Sequence, residues 1–279
     1  MANNGNGNGS VPQRRTIQMA HGNSSSSVTA VLTETKYEEP IQVLPDTNVI
    51  KIGGQSIMDR GRSAVFPLID EIVENAKTHQ ILIGAGGGTR ARHAYSLALD
   101  LDLPTGVLAS IGCATSRQNA RILQMLLAKH GGVYLNPEDF EKLPLYFRVG
   151  CIPVMVGMPP YEYWEKPTKG SRIPQNRTDA GVFLSAEVLG VKRALFIKDE
   201  EVLYTDDPKK NKSATHIPRI GARELLKSDL PDLILERVVI EYLTRARFCH
   251  ELQIVNGLER GQVTRALQGE DVGTIIYKD

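Results

Sequence analysis

Two glycine clusters, each closing a short apolar run, are the segments of this chain best equipped for chemistry. The first is Lys51-Ile52-Gly53-Gly54 at the end of the run 49–52. The second runs Gly84-Ala85-Gly86-Gly87-Gly88-Thr89-Arg90-Ala91-Arg92, after Ile81-Leu82-Ile83. Glycine has no Cβ, so its backbone N–H can come close to a phosphate. A helix opening near Thr89 would aim its positive end at the same anion. Lys51, Arg90 and Arg92 add full charges. The chemistry implied is a polyphosphate held between two loops. Lys51 in a buried strand needs a counter-anion, and a phosphate or a carboxylate would serve. Arg90 and Arg92 stand two apart and do not share a helix face, so at most one reaches the phosphates. The second cluster is not a Walker A, since no Gly-Lys-Ser/Thr follows at the required spacing. It is not the dinucleotide fingerprint either, because the third glycine of that pattern would fall at Thr89.

These loops need strands and helices to hold them. Residues 49–52, 81–83, 154–156, 194–197, 252–255 and 274–277 read as strands. Val65, Ile69, Ile72, Val73 and Ala76 repeat at helical spacing over 63–78. Further helices are expected over 116–129 with Ser116 as N-cap, 179–189 capped by Thr178 and stopped by Gly190, 233–248, and 262–268. Alternation of this kind builds a parallel sheet covered by helices on both faces. The proline- and aromatic-rich stretch 159–174 breaks the rhythm. It carries Tyr161, Tyr163 and Trp164, and an ordered loop of that length is often functional. Residues 1–45 begin with Asn and Gly and include the serine run 24–27. They read as a flexible arm, because they cannot bury enough apolar surface to offset their ordering entropy. The stretch 28–32 could dock on a neighbouring subunit.

Composition bounds the function. Of 279 residues, 41% are hydrophobic and 23% charged, with a formal net charge of +1, as in ordinary globular proteins. That balance lacks the basic excess of a nucleic-acid binder. Cys113, Cys151 and Cys249 form no metal-spaced pair and read as reduced thiols of a cytoplasmic protein. No apolar run is long enough to span a bilayer.

Five motifs then fall in the order of the amino-acid kinase superfamily. They are Lys51-Ile-Gly-Gly, Gly86-Gly-Gly-Thr-Arg-Ala-Arg92, Thr178-Asp179-Ala180, Tyr204-Thr205-Asp206-Asp207-Pro208 and Val272-Gly-Thr274. Residues 46–279 resemble that superfamily, and its uridylate kinase branch in particular. The resemblance implies a three-layer α/β/α sandwich with a mostly parallel central sheet. It implies an acceptor and oligomerisation half over about 46–176 and a nucleotide half, binding ATP with Mg²⁺, over about 177–279. Lys51 matches the lysine that supports the transferring phosphoryl group, and Asp179 of the third motif is expected to act with it; Lys198, closing the run 194–197, is read as a third catalytic residue, with a surface lysine as the alternative. Gly53, Gly54, Gly87 and Gly88 match phosphate-cradling turns, and Arg92 an arginine beside them. Tyr204 and Asp207 match the segment at the adenine and ribose.

The acceptor half departs from uridylate kinase. No aspartate lies between Asp102 and Asp139, where that enzyme holds the acceptor ribose. Gly157-Met-Pro-Pro160 is separated from Thr178-Asp179 by the proline-rich insertion. A second set of matches explains the change. Val49-Ile-Lys-Ile-Gly-Gly-Gln-Ser56, Asp59-Arg-Gly-Arg62, Gln118-Asn119, Leu127-Ala-Lys-His-Gly131 and Gly157-Met-Pro-Pro-Tyr161 resemble the molybdenum storage protein family, its beta type more than its alpha type. Ser171-Arg-Ile-Pro174 is closer to the alpha type. This resemblance implies a hexamer, homomeric or alternating with a paralogous subunit. Inside it, ATP hydrolysis drives molybdate or tungstate into polynuclear oxide clusters. Gln118, Asn119 and His130 are the metal-cluster contacts expected here. The alternative is a uridylate kinase-like transfer to UMP or another small acceptor.

Overall fold

The computed structural model describes residues 41–199, 203–204, 214–228, 230 and 233–279. The arm up to residue 40, the stretch 28–32, Asp207 and most of the 204–208 segment lie outside the described residues.

Eight strands form one sheet in the order β3-β4-β2-β1-β5-β9-β10-β8. They are β1 (Thr47–Ile52), β2 (Gln80–Ala85), β3 (Gly132–Leu135), β4 (Ile152–Val156), β5 (Arg193–Lys198), β8 (Arg219–Gly221), β9 (Glu251–Asn256) and β10 (Thr274–Tyr277). Every neighbouring pair is parallel except β9 and β10, which run antiparallel. Strands β6 (Leu203–Tyr204) and β7 (His216–Ile217) pair separately.

Side chains alternate across a strand, and the alternation sorts the core into two layers. Val49, Leu82, Met155, Ala194, Phe196 and Ile254 face one way. They pack under α5 (Thr178–Leu189), α6 (Ala222–Ser228) and α7 (Arg237–Leu243). Ile50, Ile52, Ile83, Leu195, Ile197 and Val255 face the other way. Those meet α1 (Arg62–Asn75), α8 (Gln262–Gln268) and the C-terminal half of α3 (Thr105–Leu127). Helix α2 (Thr89–Asp100) follows the second glycine cluster, and α4 (Leu143–Arg148) lies between β3 and β4 in sequence. The molecule is therefore the expected three-layer sandwich around a mostly parallel sheet.

Three helix expectations need correction. The helix expected over 116–129 begins at Thr105, so Ser116 lies in mid-helix rather than at its cap. Its hydroxyl donates to Ala85 O at 2.7 Å and accepts from Gly157 N at 3.2 Å, joining the ends of β2 and β4. A polar side chain that serves two strand ends reads in sequence like a helix start. The long helix expected over 233–248 is only Arg237–Leu243. Thr178 does not cap α5; it is the first helical residue, and no side chain of the residue before it caps the helix. The stop at Gly190 holds, with the glycine in the left-handed conformation at φ 61°.

The insertion lies along α3. Glu162, in a 3-10 turn, accepts from Ser110 Oγ at 3.0 Å and from Arg117 at 3.2 Å. Arg172 pairs with Asp102 at 2.8 Å and donates to Leu99 O at 3.0 Å, tying the insertion to the end of α2.

Candidate active site

The site follows from strand parity. Lys51 shares the face of Val49, and Lys198 shares the face of Ala194 and Phe196. Both lysines stand at the C-terminal ends of adjacent parallel strands and point toward α5. Ligands of open α/β sheets bind outside such strand ends. Asp179, in the first turn of α5, meets both. Lys51 Nζ lies 2.6 Å from Asp179 Oδ1, and Lys198 Nζ lies 3.2 Å from Oδ2. All three residues are buried. Burial alone disfavours the Asp179 carboxylate, but the ammonium groups of Lys198 and Lys51 outweigh it and hold its carboxyl below the usual range. Burial, helped by repulsion from Lys51, pushes the Lys198 ammonium down to about 8 despite its bond to Asp179. One carboxylate between two ammonium groups leaves net positive charge, which suits a phosphoryl group.

The two glycine turns meet backbone to backbone. A Cβ on Gly54 would overlap the backbone N of Gly88, and one on Gly86 would come within 2.5 Å of Gly54 N. The turns thus wall one cleft of about 360 Å³, whose lining includes Lys51, Gly54, Gly87, Gly88, Arg92, Asp179 and Lys198. Gly53 donates its N–H to Ile197 O at 3.1 Å and anchors the first turn on β5.

Several contributors were not visible as such in the sequence. Asp59 accepts the N–H of Thr89 at 2.6 Å and caps α2, the helix end expected to face a phosphate. Its neighbour Arg60 pairs with Asp199 at 2.5 Å. Tyr95 and Arg177 also line the cleft. Glu236, the residue before α7, accepts from the N–H groups of Arg177 (3.0 Å), Asp179 (3.1 Å) and Ala180 (3.0 Å). Burial, reinforced by the neighbouring Asp179 carboxylate, raises its pKa. The one available signal was an acidic residue directly preceding an apolar run; the expected helix over 233–248 hid it.

Tyr204 is not in the cleft lining; its ring lies 6.3 Å from that of His216 on the neighbouring strand. The three expected cluster contacts do not converge within one chain. Gln118 is exposed on α3. Asn119 is fully buried, donating to Gly86 O at 2.5 Å and accepting from Arg90, so its amide braces the second glycine turn. His130 is exposed beyond the end of α3. Twelve residues separate it from Gln118, roughly 18 Å at the helical rise. Among the described residues, no three His, Cys, Asp or Glu side chains are grouped to hold a metal ion. No described helix is long and apolar enough to cross a membrane.

A phosphate-suited cleft at the strand ends of this sandwich defines a class, and sequence comparison gives the same one. The chain belongs to the amino acid kinase family, whose pattern matches residues 46–240. Within that family it is 52% identical over 235 residues to molybdenum storage protein subunit beta of Azotobacter vinelandii, spanning 84% of this chain and 87% of that one. Uridylate kinase of Metallosphaera sedula is more distant, at 26% identity over 239 residues, 82% of this chain and 97% of the relative. Two solved structures share the fold. Uridylate kinase from Archaeoglobus fulgidus superposes with a TM-score of 0.63 at 22% identity, covering 82% of this chain and 99% of that one. UMP kinase from Bacillus anthracis gives 0.66 at 19% identity, covering 85% and 97%.

Proposed function

We propose that this chain is an ATP-binding subunit of a storage assembly for molybdenum or tungsten, in which ATP hydrolysis deposits molybdate as polynuclear oxide clusters. The observation that carries the ATP part is Asp179 held between Lys51 and Lys198 in a cleft walled by both glycine turns. The storage part is supported by the 52% identity to a molybdenum storage protein subunit.

Lys51 and Lys198 face the β- and γ-phosphates and stabilise charge as the γ-phosphoryl group leaves. Water attacks the γ-phosphorus, the bond to the β–γ bridging oxygen breaks, and that oxygen takes the electron pair as ADP departs. The proton of the attacking water ends on the phosphate or in solvent. Asp179 keeps the two ammonium groups in place between turnovers. Mg²⁺ suits this cleft as a companion of the polyphosphate. Asp179 is shared by two lysines and Glu236 by three backbone N–H groups, so the ion would be held mainly by phosphate oxygens. When bound, it supplies further charge neutralisation at the phosphates.

The assembly is a closed hexamer, homomeric or alternating with a paralogue, in the cytoplasm. Gln118 and His130, both exposed, are its cluster contacts. The three free thiols, at Cys113, Cys151 and Cys249, accord with a reducing compartment. The test is incubation of the purified protein with molybdate and Mg-ATP, followed by elemental analysis, light scattering and an ADP assay. Retained molybdenum in a hexamer, with ADP released, is the expected result. Efficient UDP formation from UMP without metal uptake would replace this reading with a uridylate kinase-like one.

A further inference from the structure

Glu236 is mostly buried, reaches from the start of α7 and closes the N–H of Arg177, just before α5, and those of Asp179 and Ala180 in its first turn. Such N–H groups are otherwise left without partners at a helix start. The residue whose N–H it accepts at 3.1 Å is Asp179, the link between the two lysines. The same short helix carries Tyr242, whose hydroxyl donates to Asn176 Oδ1 at 2.5 Å. Asn176 in turn donates to the buried Glu165 at 3.0 Å. Helix α7 therefore grips both the first turn of α5 and the chain that leads into it.

We infer that Glu236 is a positioning residue for phosphoryl transfer: it fixes Asp179 between Lys51 and Lys198, and it sets a second carboxylate in the cleft that Lys198 lines. The inference rests on the ATP reading of the cleft. Geometry supports the first part, since an anchor on three amides at one helix start, that of Asp179 among them, sets the place of the carboxylate that both ammonium groups share. Charge supports the second. Glu236 lies 3.6 Å from Arg177, the residue before α5, and shares the cleft lining with Asp179 of α5, Lys198 of β5 and Tyr95 of α2, while Tyr161 of the insertion and Tyr242 of α7 also feel its charge. Arg177 and Lys198 are the cations among these, and Lys198 is the one bonded to Asp179.

The experiment uses the full chain in its native assembly with two variants. Glu236→Gln keeps the shape and removes the charge; Glu236→Asp keeps the charge and draws it back by one methylene. ATP turnover is measured against pH, and Lys198 reactivity is followed by acylation and peptide mass spectrometry without nucleotide. For Glu236→Gln, kcat falls roughly tenfold or more with the KM for ATP little changed. The basic limb of its profile moves to lower pH, and Lys198 acylates faster near neutrality than in the wild type. For Glu236→Asp, turnover falls while Lys198 labelling stays at the wild-type rate. Wild-type turnover in both variants overturns the positioning role, and unchanged labelling in Glu236→Gln overturns the charge role. If Glu236→Gln does not fold, turnover of folded Glu236→Asp decides the positioning role, and labelling of an Arg177→Ala and wild-type pair decides whether charges around Glu236 reach Lys198. If the wild type itself releases no ADP, the ATP reading fails, and the labelling arm still decides the effect on Lys198.

Discussion

The cleft and the outer face of α3 are built on opposite plans. In the cleft, charged groups from β1, β5, α5 and α7 converge, and each is braced by another. Along α3, Gln118 and His130 stand apart and exposed, while Asn119 points inward to the glycine turn. The cleft residues meet within one chain, whereas those of α3 do not. On the proposed function, the difference assigns ATP to the subunit and storage to the assembly.

The sharpest break of that contrast is Asp179→Asn. It leaves two buried ammonium groups without their counter-ion, which costs about 3–5 kcal/mol in a buried pair. Urea unfolding should show that loss, and ADP release should vanish. Next is Lys51→Ala, which removes one charge-assisted contact to phosphate, a loss of about 1.5–3 kcal/mol in ATP affinity by calorimetry. Unchanged affinity and turnover there would remove the cleft from the ATP reading.

Asn119→Ala tests the border between the two regions. Its amide serves Gly86 O and Arg90, so its loss should destabilise by about 1–3 kcal/mol and weaken ATP binding through the glycine turn. A variant that unfolds like the wild type but loses molybdenum would return Asn119 to the cluster side.

The pH dependence is a subtler probe of the cleft. Lys198 is held at about 8, so it is charged below that pH and neutral above it. A cation of the cleft is thus lost as pH rises, and on the ATP reading kcat/KM for ATP should fall about tenfold per unit beyond this point. A flat alkaline profile would show that Lys198 does not act as a cation in turnover.

Gln118→Ala should have the smallest effect on the isolated fold, within about 0.5 kcal/mol. Combined with His130→Ala, it should lower the molybdenum retained per chain while ADP release by the cleft persists. Retention equal to the wild type would leave α3 without a role in storage.

Much of the cleft was legible because it depends on local pattern. Apolar runs ending in glycine gave β1, β2 and their turns, the order of the motifs joined Lys51 to Asp179, and Lys198 stood out as the lysine closing the run 194–197. What escaped was set by contacts distant in sequence. Ser116 looked like a helix cap because its true partners, Ala85 and Gly157, lie 31 and 41 residues away. Glu236 was concealed within an apolar stretch that reads as one helix, although only Arg237–Leu243 is helical. Asn119 carried the polarity of an exposed ligand and the burial of a core residue. Sequence gives a side chain's chemistry, but whether an amide faces outward or inward depends on the tilt of the helix that bears it.

The parity of β1 carries a consequence for how this protein can change its length. Val49 and Lys51 share one face of the sheet, and Ile50 and Ile52 the other. Losing a single residue upstream within the strand would swap the faces, sending the ammonium among the aliphatic side chains beneath α1 and an isoleucine toward Asp179. A slip that repaired this would have to break the register that β1 keeps with β2 on one side and β5 on the other. The stretch between β4 and α5 has no such arithmetic. Its ends are fixed by Gly157 at the strand and by Asn176 at Tyr242, and what lies between can lengthen without turning Lys51, Asp179 or Lys198 over. In this architecture, additions fall at the periphery, while the strands that carry Lys51 and Lys198 keep a fixed count.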